Sequence, residues 1–214
     1  MPAPPTRPAL RARYDRRRRA VADAAAAVFA ERGYHATSIA ALLEATGLTT
    51  GALYHYVTGR DELLVLICDE LMDPLLERTR AILDTAAAPD DQLRELLRAW
   101  LEHIEHHLDH MRVFQQERHV IEREPRWHEI RAKRLAFEEM LDAVLARAEA
   151  SGAMAFGDRR LALLALLGMV NYTPTWFRPG GRLRAREIAD GYYDFVTNAY
   201  QRPHAHPWNG SPPP

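Results

Sequence analysis

The sequence predicts an all-α fold: an N-terminal three-helix unit of helix-turn-helix type, followed by a larger helical domain. Three observations carry this. Apolar residues recur three and four positions apart along most of the chain. No stretch alternates apolar and polar for long enough to make a strand. Early helix stops at Gly33 and Gly47 bracket a short helix, which a second short helix follows at once.

Proline-rich ends at residues 2–8 and from Arg202 read as disordered tails, so 1–13 and 201–214 are set aside. Val21, Ala25, Val28 and Phe29 give the first helix its buried stripe, and Gly33 caps it. Ser38 is placed to N-cap a second helix whose buried face is Ile39, Leu42 and Leu43 and which stops at Gly47. Leu48 and Leu53 seat the short third helix. A fourth begins near Asp61, its acidic first turn suited to the helix dipole, and Pro74 should kink or divide it. Further helices are expected near residues 90–109, 112–121, 125–150, 158–177 and 186–200, with Pro174 distorting the end of the penultimate one. The domain boundaries expected are 14–62 for the helix-turn-helix unit and 63–200 for the larger domain.

Overall charge is −1, which decides nothing, but its distribution is uneven. Residues 1–60 hold nine arginines against Asp15, Asp23, Glu31 and Glu44, a net of +5 that leaves −6 for the rest. A basic head on an acidic body suits a polyanionic partner, and equally a solvated basic arm. Cys68 is the only cysteine, so an intrachain disulfide is excluded and a reducing, cytoplasmic setting is expected. The opening "MPAPPTRPALRARYDRRRR" lacks the apolar stretch of a signal peptide. The longest apolar run, Leu161 to Val170, is ten residues, against the roughly 20 a membrane span needs. Catalytic triads and phosphate-binding glycine loops are absent, and no enzyme activity or cofactor is expected.

The stretch "TGLTTGALYHYV", Thr46 to Val57, is too polar for a core helix. As the second helix of a helix-turn-helix it makes sense. Its outer face carries Thr49, Thr50, Gly51, Tyr54, His55 and Tyr56, hydroxyls and rings suited to phosphates and base edges around a glycine that lets backbone come close. Arg60 follows at the start of the fourth helix. A wet helical hairpin is the bland alternative. Spacing, residue types and the basic arm together favour duplex DNA.

Residues 16–64, "RRRRAVADAAAAVFAERGYHATSIAALLEATGLTTGALYHYVTGRDELL", resemble the N-terminal domain of the tetracycline-repressor (TetR) family in the order helix, "RGY..TS", helix, "TGL", "G.LYHY" and "DEL". The resemblance implies a homodimeric repressor released from a palindromic operator by a small-molecule effector. It also implies phosphate contacts at Ser38, Thr49, Tyr54, His55, Tyr56 and Arg60, with Thr50, Gly51 and Ala52 near base edges. Ala40 and Thr50 stand where many members carry arginine and lysine, which shifts readout toward Tyr54, Thr50 and DNA shape.

The terminal helices carry apolar stripes at Leu163, Leu166, Leu167 and Val170 and at Ile188, Tyr192, Phe195, Val196 and Ala199. These read either as internal core or as a two-fold interface. The interface is favoured, because a two-fold operator needs a two-fold protein. From Leu167, "LGMVNYTPTWFRPGGRLRAREIADGYYDFV" resembles members that sense acyl-coenzyme A thioesters, through Asn171–Tyr172, Trp176–Phe177, Arg178–Pro179, Gly181, Leu183 and Glu187–Ile188–Ala189. Pro174 departs from that pattern, and the motif also fits a role in helix packing. A multidrug sensor of the same family is the alternative. An acyl chain needs an apolar tunnel with few polar groups, for which Trp100, Ile104, Phe114, Phe137 and Leu141 are candidates, with Arg118, Arg123 or Arg126 at the mouth for phosphates.

"HIEHHLDH" places His103, His106, His107 and His110 along one helix face. Such spacing can bind metal, and a metal-dependent enzyme using Glu102, Glu105 or Asp109 is the distant alternative. Metal sites normally draw on more than one element, so His103 and His107 are assigned to the ligand cavity and no metal is expected.

Overall fold

The computed structural model describes residues 5–123 and 125–201, and its regular structure among them is entirely helical. In chain order the elements are α1 (Pro8–Arg32), α2 (Ile39–Thr46), α3 (Thr50–Leu53), α4 (Arg60–Leu83), α5 (Pro89–His106), α6 (Leu108–Gln116), α7 (Arg118–Ile121), α8 (Trp127–Ala150), α9 (Arg159–Trp176) and α10 (Ala185–Gln201). None of the described helices is long and apolar enough to cross a membrane.

Helix α1 starts at Pro8, so residues 8–13, expected in the N-terminal tail, are helical. Proline costs nothing at a first helical position, where its N–H would be unbonded in any case. Arg11 pairs with Asp15 one turn on at 3.0 Å. Tyr14 is buried against the rings of Tyr56 and His55, at 5.2 and 5.8 Å. The expected tail at 201–214 lies, apart from Gln201, outside the described residues.

The caps read from the sequence form. Ser38 Oγ accepts from Ala41 N at 3.2 Å, and Gly47 takes the left-handed conformation at φ 63° that closes α2. Helix α4 runs through Pro74 without dividing. The side of the helix at Pro74 is exposed, while Leu71, Met72, Leu75 and Leu76 hold the turns on either side in the core.

Two other helices expected to be continuous are broken. The chain leaves helical geometry at His107 (φ −118°, ψ 35°) and at Glu117 (φ −103°, ψ 15°). Neither break has a proline or glycine to announce it. Each is imposed by tertiary docking: His110 and Val113 bury against the N-terminal helices, and the Glu117 carboxylate accepts from Tyr34 N at 3.3 Å.

Two apolar cores result. One gathers α1 to α3 and the first half of α4, with Val113, Ile121 and Ile130 reaching in. The other gathers the second half of α4 with α5, α8, α9 and α10. Helix α6 lies between them, and Phe114 packs on both.

Candidate nucleic-acid interface and ligand cavity

Thr49 Oγ1 accepts from Ala52 N at 3.4 Å and so starts α3, while buried Leu53 and Val57 seat it on the head. The hydroxyls of Ser38 and Thr49 use an oxygen lone pair in these caps, which leaves each O–H free to donate to a phosphate. Ser38, Thr49, Thr50, Gly51, Tyr54 and His55 are exposed, and Ala52, Tyr56 and Arg60 are half-buried. A Cβ built on Gly51 meets no atom within 4 Å, so nothing inside the subunit requires a glycine there.

Arg60 does more for the head than its position suggested. Its Nη1 donates to the Thr37 carbonyl at 2.9 Å, and its guanidinium sits 4.5 Å from the centre of the Tyr34 ring. The Tyr34 hydroxyl in turn donates to Asp61. The arginine therefore braces the start of α4 against the α1–α2 turn, with further N–H donors to spare. Beside α3, Arg13, Arg16 and Arg17 line an open groove floored by Tyr14 and Tyr56. The charge imbalance pointed to these arginines as a group. Only the fold shows which of them stand next to the reading helix.

A narrow cavity of about 50 Å³ lies between α4, α5, α6, α8 and α9. Of the residues expected to bind ligand, Trp100, His103, Phe114, Phe137 and Asn171 line it. Ile104 and Leu141 are fully buried core behind it. Arg118 is exposed and pairs with Glu122 at 2.7 Å. His107 turns toward α1 and His110. Tyr172 and Trp176 are corrected outright: at 66% and 42% exposure they lie on the outer side of α9. Of the C-terminal motif only Asn171 reaches the cavity. Phe177 is core, and Glu187 caps α10 by accepting from Arg184 N at 2.7 Å.

The cavity walls also include residues not singled out in the sequence, among them Leu71, Met72, Met111, Arg134 and Glu138. Trp100 and Phe137 meet edge to face at 4.6 Å. Arg134 lies 5.7 Å from the Phe114 ring, has no ion pair within the distance of a salt bridge among the described residues, and is held below the usual arginine range by burial and then by Arg118. His103 Nε2 donates to the Leu71 carbonyl at 2.7 Å, and burial lowers its pKa to about 4, so the ring is neutral at pH 7. The site is thus an apolar slot with one unpaired cation, one carboxylate and two neutral polar groups. That is an arrangement suited to binding a small molecule.

The interface stripe also needs correction. Leu163, Val170, Ile188 and Val196 are buried in the subunit's own core, Leu167 lines the cavity, and Tyr192 bonds Thr173 through its hydroxyl at 2.9 Å. Periodicity shows that a face is buried but not by what. Among the described residues, the large apolar side chains left exposed on these two helices are Leu161, Leu164, Tyr172, Trp176 and Phe195. Only Phe195 had been assigned to the interface.

Comparison with known proteins agrees with this geometry. Residues 21–67 match the family described as bacterial regulatory proteins, tetR family, and residues 86–200 match the tetracyclin repressor-like C-terminal domain. The chain is 30% identical to the HTH-type transcriptional repressor KstR2 of Mycobacterium tuberculosis over 84% of its length and 90% of that protein's. The solved structure of that ketosteroid transcriptional regulator superposes with a TM-score of 0.77 at 29% identity, covering 86% of this chain and 94% of the other. The complex of AibR with isovaleryl coenzyme A and operator DNA superposes at 0.73 with 26% identity, covering 85% and 98%. The chain belongs to the tetracycline-repressor (TetR) family.

Proposed function

We propose that the protein is a homodimeric, ligand-responsive transcriptional regulator, a repressor released from a palindromic DNA operator by an acyl-coenzyme A thioester. The observation that carries this is the single helix shared by the two candidate sites. Helix α6 lends Met111 and Phe114 to the cavity wall, while Val113 of the same helix is buried in the core of the reading head. KstR2 is named a transcriptional repressor, and AibR was crystallised with both a coenzyme A thioester and its operator.

The cavity volume supplies the mechanism. About 50 Å³ holds a few waters and no acyl chain. An acyl group entering between Trp100 and Phe137 must displace Phe114 or Met111, and a close-packed interior answers by shifting the helix that carries them. Since α6 packs on α1, the shift tilts the head and changes the separation of the two heads in a dimer. Driving a population from mostly DNA-bound to mostly free takes about 5 kcal/mol of differential affinity. Tail and nucleotide together can supply that where either half alone falls short.

A thioester panel titrated against the operator complex tests the effector class. A thioester is expected to release DNA at micromolar concentration, and its free acid and free coenzyme A are not. Release by a planar cation and by no thioester would instead make Glu138 the group that selects the ligand and the protein a multidrug sensor.

A further inference from the structure

The histidines of "HIEHHLDH" take different partners in the fold. His103 faces the cavity and is occupied by the Leu71 carbonyl, and His106 turns to the Glu102 carbonyl at 2.6 Å. The His107 ring lies 4.4 Å from that of His103 and, with His110, turns to α1. Because the chain breaks at His107, the His107 and His110 rings come together against α1, centroids 5.2 Å apart at 90°, beside Asp23. One ligand atom from each of Asp23, His107 and His110 lies within 4.8 Å of the others. The objection that a single helix cannot complete a metal site therefore falls, because the carboxylate comes from a helix more than 80 positions earlier.

Two further features point to an ion. His110 is only 4% exposed, yet its Nε2 has no hydrogen-bond partner, and neither does the buried Nδ1 of His107. Buried ring nitrogens without partners are rare, and each calls for an explanation. His110 Nε2 and Asp23 Oδ1 are 3.3 Å apart without hydrogen-bond alignment. That separation is close to the spacing of two ligands on one zinc at bonds of about 2.0–2.1 Å. The trio also has an entry path. A solvent-open cleft lined by Asp23, Glu105, Asp109 and His110 leads to it, and the nearby Arg112 is turned to Asp109 at 3.3 Å.

We propose that Asp23, His107 and His110 form a binding site for a divalent transition metal of the zinc class. Two imidazoles and one carboxylate are a donor set for such an ion, and three protein ligands leave one position open to water from the cleft. The ion fastens α1, which carries the reading head, to the α5–α6 junction beside the ligand cavity. It stabilises the disposition of head and body seen here. The proposal rests on geometry alone and does not depend on DNA binding or on the effector.

The test uses the full-length protein freed of metal and titrated with zinc by calorimetry, with cobalt(II) as a visible-absorption probe. Loss of one ligand should weaken binding at least about tenfold, since changes merely supporting a ligand already cost 10- to 100-fold. The expected result is one zinc per protomer with a Kd of about 10 μM or tighter, together with cobalt bands of four- or five-coordination and a raised thermal midpoint. All three should be lost in His110→Gln and weakened in Asp23→Asn. Asp23 is largely exposed, so its variant folds even if the histidine variant does not. Zinc uptake and cobalt bands unchanged in Asp23→Asn and in His107→Gln would overturn the proposal and assign the metal to other histidines, such as His35 and His119 beside Glu117. Failure of the wild-type protein to take up zinc would overturn it equally.

Discussion

Phe195→Glu is expected to convert a dimer into monomers at micromolar concentration and to lower operator affinity by about 100- to 10,000-fold, the range by which linking two binding modules exceeds one alone. Phe195 is 64% exposed and Leu161 58%, which is costly surface for a subunit to show water. With Leu164, Tyr172 and Trp176 they make the outer sides of α9 and α10 apolar, as an interface with a second copy requires. A carboxylate introduced there is buried without a partner in each half of a two-fold interface, so its cost is incurred twice. The subunit itself should be unharmed, because the Phe195 ring contributes little to the internal core. Sedimentation equilibrium reads the assembly and circular dichroism the fold. A variant that stays dimeric would place the interface elsewhere.

Arg134→Ala is expected to raise the effector concentration for half-release by roughly 10- to 1,000-fold while leaving operator affinity unchanged. Hydrogen bonds to a charged group contribute about 1.5–3 kcal/mol, and breaking a buried charge pair costs more. Arg134 is a desolvated cation on the cavity wall with no ion pair among the described residues, so an anionic effector group gives it the partner the chain does not. Glu138→Gln, on the same wall, should change release by much less or improve it, because it removes a like charge from the anion's surroundings. The two variants together separate loss of a charge contact from loss of cavity shape. Equal weakening by both would show that shape alone governs release.

How much of this was legible in the sequence follows from the physics of each feature. The head was readable because its signals are local: Ser38 and Thr49 as caps, Gly47 as a left-handed stop, and Leu42 and Leu53 at helical spacing. The breaks at His107 and Glu117 were not, since both arise from contacts with α1 and the α1–α2 turn, far away in the chain. The apolar stripes of α9 and α10 were seen, but most of the residues assigned to the partner, Phe195 excepted, are covered by the subunit itself. Periodicity measures how apolar a face is, and the most apolar faces here, with Leu163, Val170, Ile188 and Val196, went to the subunit's own core. Tyr172 and Trp176 were placed in the cavity by resemblance, whereas their exposure puts them outside it. Arg134 was missed because one arginine on a charged helix carries no signal until the fold shows what surrounds it.

Two copies of the Thr49–Tyr56 face are expected to read one two-fold site on DNA. Sequencing of the genomic fragments retained by the pure protein, with nuclease protection of the fragment bound most tightly, tests it most directly. The expected result is a protected inverted repeat whose half-sites lie on one face of the duplex, with binding that weakens steeply as salt rises. Retention of no fragment at low salt, or retention of all fragments alike without a symmetric protected site, would contradict it.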